Sequence, residues 1–348
     1  MNNTPWKKGV ACGGFFLLLL GLTFYILLKD QEPALLWAAL GQAKLPWLGV
    51  GVACMVIFFC CEARNIQRGL AMFHSPAPYR SCLLYGITGF FFSSVTPSAS
   101  GGQPMQLYSM CRDGHLPAPS ALALLTEFFS FQLAAVTLAG FGLVLHWQQL
   151  MALETSAFFC FLVGTGCNLL VVLALGGAAF SRRFLPRVWG WLMIPARRIF
   201  PRQVQGWEAW AKKQWHDLRQ CTQCYATHKK QMVQMFLVSL LQLAAYHSVP
   251  FWVYLAFGLS EQALPTVIGL QAVLFLSVSS LPLPGAVGLT EGGFLLLYRA
   301  MFPAALLPGA MLLSRAVSFY LFLLLAGLFL AGRFLRHSFF VSEATKIM

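Results

Sequence analysis

Apolar runs of about twenty residues, the length that crosses a hydrocarbon core, recur along the 348-residue chain between short polar stretches. Six predict full transmembrane helices: Gly9–Leu28, Leu45 to about Cys61, Pro117–Leu145, Ser156–Ala179, Met232–Phe257 and Pro308–Leu330. Two further apolar stretches are interrupted. The first break, Ser93–Gly114, reads SSVTPSASGGQPMQLYSMCRDG, and the second, Ser279–Gly293, reads SSLPLPGAVGLTEGG. Backbone that Pro and Gly keep from being helical leaves N–H and C=O groups that lipid cannot satisfy. It must be packed in protein or line a wet cavity. Two such breaks in corresponding places of two halves point to a transport site.

The pattern therefore predicts an all-α, polytopic integral membrane protein with six full transmembrane helices and two re-entrant helical hairpins, over about 79–112 and 264–299. The first hairpin enters from the cytoplasm and the second from outside. A full third span in place of the first hairpin is the alternative. One hairpin from each face is what an inverted repeat of residues 1–179 and 231–348 predicts, and the halves match by Ser-Ser-x-x-Pro type similarity around Ser93 and Ser279.

Composition excludes a soluble domain and a disordered chain, since 58% of residues are hydrophobic and 10% charged. The net charge of +13 would suggest nucleic acid in a soluble protein. Here it is read by position, because Lys and Arg gather on the cytoplasmic side of membranes. Arg182 to Lys230 carries eleven Lys and Arg against Glu208 and Asp217, which makes segment 180–230 cytoplasmic and leaves both termini inside. Within it Val204, Trp207, Trp210, Trp215 and Leu218 share one helical face, as in a helix lying among headgroups. It serves as a topological anchor or gathers anionic lipid. Gly9–Leu28 lacks a small-residue cleavage site before Lys29, so it reads as a retained span and not a signal peptide. Most of the ten cysteines sit in apolar spans and read as reduced packing residues. Cys221-x-x-Cys224 with His228 supplies three ligands among basic residues, too little for zinc.

Glu127, Glu291 and Arg315 are ionisable residues within or near apolar segments, where charge is costly unless it is paired or faces water. They lock helices together as a structural pair, or they serve a ligand: Arg315 contacts a lipid phosphate, while Glu127 or Glu291 neutralises it when empty or meets a cationic head group. Each break also leaves a helix N-terminus, after Gly102 and after Gly288, whose free N–H groups favour an anion such as phosphate. Close helix packing is the simpler reading of those glycines. His247, beside Gln242 and Tyr246, reads as a satisfied packing residue and not a proton relay. No Gly-x-x-x-x-Gly-Lys loop, His-Glu-x-x-His pair or close Ser-His constellation occurs, so the chain is expected to be neither a nucleotide-driven pump nor an enzyme, and to need no cofactor.

Four blocks stand in order along the chain. They are Pro97-x-x-x-Gly101-Gly102-x-Pro104 with Arg112-x-Gly114, then Thr126-Glu127, then Pro282-x-Pro284-Gly285-x-x-Gly288-x-x-Glu291, then Ser314-Arg315. In these the chain resembles the transmembrane region of the lysylphosphatidylglycerol synthase and flippase family, over nearly its whole length. That resemblance implies movement of an anionic or aminoacylated phospholipid, such as phosphatidylglycerol or lysyl-phosphatidylglycerol, between leaflets of a bacterial cytoplasmic membrane. Larger members join this region to a soluble acyltransferase-like domain, whereas this sequence stops at Met348, so translocation without synthesis is expected. The expected partners are membrane phospholipids and a separate lipid-modifying synthase, without nucleic acid, and a homo-oligomer stays open. The head-group site is expected at Pro97, Gly101, Gly102, Gln103, Arg112, Glu127, Pro284, Gly285, Gly288, Glu291 and Arg315. Two departures bear on the head group: Phe128 stands where members often have Arg, and Gln103 where they often have an acidic residue. A secondary transporter of a small soluble anion is the alternative function.

Overall fold

The computed structural model describes residues 33–96, 99–151, 155–180, 227–279, 286 and 288–333. The predicted first span, residues 181–226 of the basic segment with Cys221 and Cys224, and the candidate residues Pro97, Pro284 and Gly285 lie outside the described residues. Among the described residues the regular structure is helical. In chain order the helices are α1 (Pro33–Gln42), α2 (Leu45–Met72), α3 (Tyr79–Val95), α4 (Gly102–Arg112), α5 (Pro117–Leu145), α6 (Trp147–Met151) and α7 (Thr155–Phe180). There follow α8 (Lys229–His247), α9 (Val249–Ala256), α10 (Leu264–Ser279), α11 (Leu289–Leu297) and α12 (Leu307–Arg315). The last of these passes through one π-helical turn, Ala316–Tyr320, and continues to Arg333.

Among the described residues four segments are long and apolar enough to cross a membrane: Leu45–Met72, Pro117–Leu145, Lys229–Ala256 and Leu307–Arg333. Their outer faces are as apolar as their inner ones. Val144 is 78% exposed, and Val56, Leu237, Leu325 and Phe329 are also exposed, a surface that suits lipid and not water. The chain is a multi-pass membrane protein. Proline in the first turn sets the starts of α2, α5, α9 and α12, where its missing N–H and fixed φ cost nothing. Pro250 also separates α8 from α9, because it cannot donate to a carbonyl one turn back.

One expected boundary is corrected. The second span does not end at Cys61, since α2 continues to Met72. Two of its polar residues find partners without breaking the helix: Glu62 meets Gln106, and the Arg64 guanidinium donates to Gln67 at 2.7 Å. Before Lys44 the chain forms a helix, α1, which packs Ala39 against Gly309 of α12, and the Lys44 N–H then donates to the Ala256 carbonyl at 2.8 Å.

Helices α2, α5, α8 and α10 form the centre. Small residues let them approach closely: Ala134, Ala135 and Ala139 of α5 meet Ala272 of α10 and Leu243 of α8 in one buried cluster. Around this centre each interrupted stretch folds as a helical hairpin. Helix α4 runs back beside α3, with Gln106 against Gly89, Gly102 against Ser93, and the Tyr85 hydroxyl donating to Asp113 at 2.8 Å. Gly114, at φ +93°, then turns the chain, and the His115 N–H closes α4 on the Met110 carbonyl at 3.0 Å. Helix α11 runs back beside α10 in the same way, with Gly293 against Leu274 and the Tyr298 hydroxyl donating to Gln271 Oε1 at 3.0 Å.

Candidate functional site

The second hairpin meets the last span at a buried ion pair. Arg315, the final residue of α12, donates from Nε to Glu291 Oε1 at 2.9 Å, and both side chains are more than nine-tenths buried. Glu291 sits in the first turn of α11, and its other oxygen accepts the Gly288 N–H at 2.7 Å. Gly288 has φ +79°, a conformation that glycine adopts without strain and that turns the chain into α11. The Tyr320 hydroxyl donates to Glu291 Oε1 at 3.3 Å. The carboxylate thus gathers donors from a helix N-terminus, a guanidinium and a phenol, all favourable to negative charge.

The π-helical turn assembles the other side of this site. Five residues on from Arg315 a regular helix points elsewhere, but the wider turn brings Tyr320 back to the same carboxylate. It also lays the Arg315 guanidinium over the Phe319 ring, 4.5 Å from its centroid, a cation–π contact. A narrow cavity opens beside the pair, lined by Tyr246, Pro250, Gln271, Thr290, Phe294, Ser314, Arg315 and Ser318. It has room for about one water. The Ser314 hydroxyl is buried with no hydrogen-bond partner, a condition that calls for a water or ligand group.

The first hairpin carries a separate polar group. The Thr96 hydroxyl accepts the Gly101 N–H at 2.9 Å and donates to the Phe92 carbonyl at 2.6 Å, so the break is tied down locally. Gln106 donates to Glu62 Oε1 at 3.1 Å, and Glu127 of α5, 7% exposed, lies within electrostatic reach of Glu62. Phe90 of α3 meets Phe319 edge to face, with centroids 6.2 Å apart.

The structure therefore brings together Gly288, Glu291 and Arg315 and keeps Glu127 apart from them. Of the two expected partners of Arg315, Glu291 is the one it meets. The helix N-terminus at Gly288 is not free, because Glu291 occupies it. Gly101 and Gly102 sit at the first turn-back, and Gln103 is half-buried there. Arg112 is exposed at the far end of α4. His247 is buried against Tyr246 and Phe275, as a packing residue is, but neither ring nitrogen has a partner. The expectation that it is satisfied is corrected: aromatic rings surround it where acceptors and donors would be needed.

Sequence reasoning missed Tyr320, Phe319, Glu62 and Gln106. An aromatic residue four positions after an intramembrane Arg was a usable sign for Phe319. Nothing in helical spacing reveals Tyr320, because the π turn that places it breaks the spacing rule. A second span that ends at about Cys61 leaves Glu62 just outside it, which hides its place inside α2.

A comparison with curated protein sequences finds no match. The family model described as lysylphosphatidylglycerol synthase TM region matches residues 10–326.

Proposed function

The chain belongs to the lysylphosphatidylglycerol synthase transmembrane-region family, and from that premise we propose that it is a phospholipid translocase. It carries an anionic or aminoacylated phospholipid, such as phosphatidylglycerol or its lysyl derivative, between the leaflets of a bacterial cytoplasmic membrane with both termini in the cytoplasm. The observation that carries this reading is the buried Arg315–Glu291 pair at the start of α11, beside a polar cavity. A buried ion pair contributes little net stability compared with apolar packing, so its presence inside a membrane protein favours use over support.

In this reading the two hairpins are re-entrant and related as an inverted repeat. Two features support it: α10 stops beside Asn168, near the middle of α7, and each hairpin returns toward its starting side. Glu291 holds Arg315 in the empty protein. An arriving lipid phosphate takes its place on the guanidinium, with the Ser314 hydroxyl as a second donor, and Glu127 and Glu62 offer a cation-seeking surface for a lysyl amine. The cavity is water-sized here, so the head group enters only when the hairpin and the last span separate. Gly101, Gly102, Gln103 and Arg112 at the first hairpin, together with Pro97, Pro284 and Gly285 outside the described residues, complete the proposed path.

Leaflet exchange of fluorescent phosphatidylglycerol and lysyl-phosphatidylglycerol in liposomes tests this. Exchange above empty liposomes that Arg315→Ala and Glu127→Ala abolish supports the path. No exchange of either lipid by folded protein under an imposed ion gradient rejects it and favours a transporter of a small soluble anion.

A further inference from the structure

Helix α10 stops inside the protein, and a helix that stops leaves its last carbonyl groups without intrahelical partners. In water such groups are solvated, and inside a membrane protein another element must serve them. Here the Ser279 hydroxyl of α10 itself donates to the Leu276 carbonyl at 3.1 Å, and α7 supplies a second donor. The Asn168 side-chain amide, 4% exposed near the middle of α7, donates to the Leu276 carbonyl at 3.1 Å and to the Ser279 hydroxyl at 3.0 Å, the two groups at the cut end of α10. It also donates to the Gly164 carbonyl of its own helix at 2.9 Å. Its oxygen accepts from Gln132 Nε2 of α5 at 3.0 Å, which fixes which way the amide points.

The backbones are close enough for this contact to be rigid. Gly164 of α7 lies against the Ser277 backbone of α10, with no room for a Cβ. Three helices therefore converge on the last turn of α10, and Asn168 is the group that bonds to it from another helix, holding both the Leu276 carbonyl and the Ser279 hydroxyl. Across the break, α11 begins with Gly288 and Glu291, the residues that hold Arg315.

We propose that Asn168 is a positioning residue that caps the cut end of α10 from α7 and so fixes where the second hairpin presents Glu291 to Arg315. Gln132 acts through it. The link to transport rests on the translocase reading above, while the capping role does not.

The test uses the full chain in lipid nanodiscs and in liposomes, with Asn168→Asp and Gln132→Leu. Asn168→Asp keeps the shape and the acceptor for Gln132 but removes both N–H donors and turns an oxygen toward a carbonyl. Hydrogen exchange at the amides of residues 276–279 and 288–291 is expected to speed by about fivefold or more, while the central turns of α2 stay protected. Gln132→Leu is expected to loosen the same amides less. Lipid exchange is expected to slow by about tenfold in Asn168→Asp, since a displaced binding group misses its geometry. Amides at 276–279 as protected as in the native protein, or a uniform loss across α2 and α5, would overturn the cap. Local loosening with an unchanged lipid exchange rate overturns the positioning role. A native protein that exchanges no lipid overturns the translocase reading, and amide exchange then decides the cap by itself.

Discussion

Arg315 Nε and Glu291 Oε1 approach to 2.9 Å across the contact between the last span and α11, with neither side chain more than 7% exposed. The pair ties a helix that crosses the membrane to one that begins at a break. Either residue alone would be a buried charge without its partner, so the two are coupled in stability as well as in place.

That coupling predicts a strongly non-additive mutant cycle. Arg315→Met and Glu291→Met are each expected to destabilise the protein by about 3 kcal/mol or more, because each leaves an uncompensated buried charge. The double substitution is expected to cost less than the sum, and less than the worse single change if the apolar pair packs well. Thermal unfolding of all four proteins in detergent measures this, and additive losses would show that the pair is not an energetic unit.

Tyr320 and Phe319 test the π-helical turn. Tyr320→Phe removes one hydrogen bond to Glu291 and is expected to cost about 1 kcal/mol. Phe319→Leu removes the ring beneath the guanidinium and is expected to cost a similar amount, about 1 kcal/mol. If the turn exists to place these groups, both substitutions also slow lipid exchange, whereas Tyr320→Phe without effect on either readout would mean that the hydroxyl has another partner.

Much of this architecture was legible in the apolar pattern, for physical reasons that also explain the failures. Pro117–Leu145 was predicted to the residue, because Pro117 starts it and polar residues close it. The first break was legible only in part: α3 runs on to Val95 and α4 takes in Gly102 and Pro104, because Pro is tolerated in a first helical turn and Gly costs a helix only about 1 kcal/mol. Most of the second break lies outside the described residues. The continuation of α2 past Cys61 was not legible, since Glu62 and Arg64 look like water-facing residues until tertiary partners such as Gln106 are known. Glu291 and Arg315 were visible as charges in apolar sequence, but their pairing was not, because two elements far apart in the chain supply them. Asn168 was invisible: one Asn in an apolar run carries no sign that it serves another helix.

Glycine packing gives a matched pair of substitutions on one helix. Gly142 of α5 lies against the Gly269 carbonyl of α10, where an added Cβ has no room, whereas Gly140 has nothing within 4 Å of that position. Gly142→Ala is expected to destabilise by about 1–3 kcal/mol through overpacking. Gly140→Ala is expected to be neutral or slightly stabilising through helix propensity. Unfolding midpoints that fall equally for both would indicate that α5 and α10 adjust freely.

Orientation follows from which helix ends meet. Ser75, just after α2, bonds His115, just after α4, at 2.7 Å, and Asp113 lies 4.0 Å from Arg333 at the end of the last span. These contacts gather three helix ends on one side, where Arg80 and Arg112 also lie. At the opposite end the His146 ring bonds the Thr266 carbonyl at 2.8 Å, joining the end of α5 to the start of α10. The basic side is cytoplasmic if positive charge governs insertion. In a cysteine-free variant, single cysteines at Arg80→Cys and Lys229→Cys are therefore expected to react with a membrane-impermeant thiol reagent only in inside-out vesicles, and Gln148→Cys and Glu261→Cys only in intact cells. All four positions are exposed or close to exposed helix ends, so silence is not expected from burial. The reverse pattern would invert the topology, placing the start of α10 in the cytoplasm and exchanging the leaflets from which the two hairpins receive lipid.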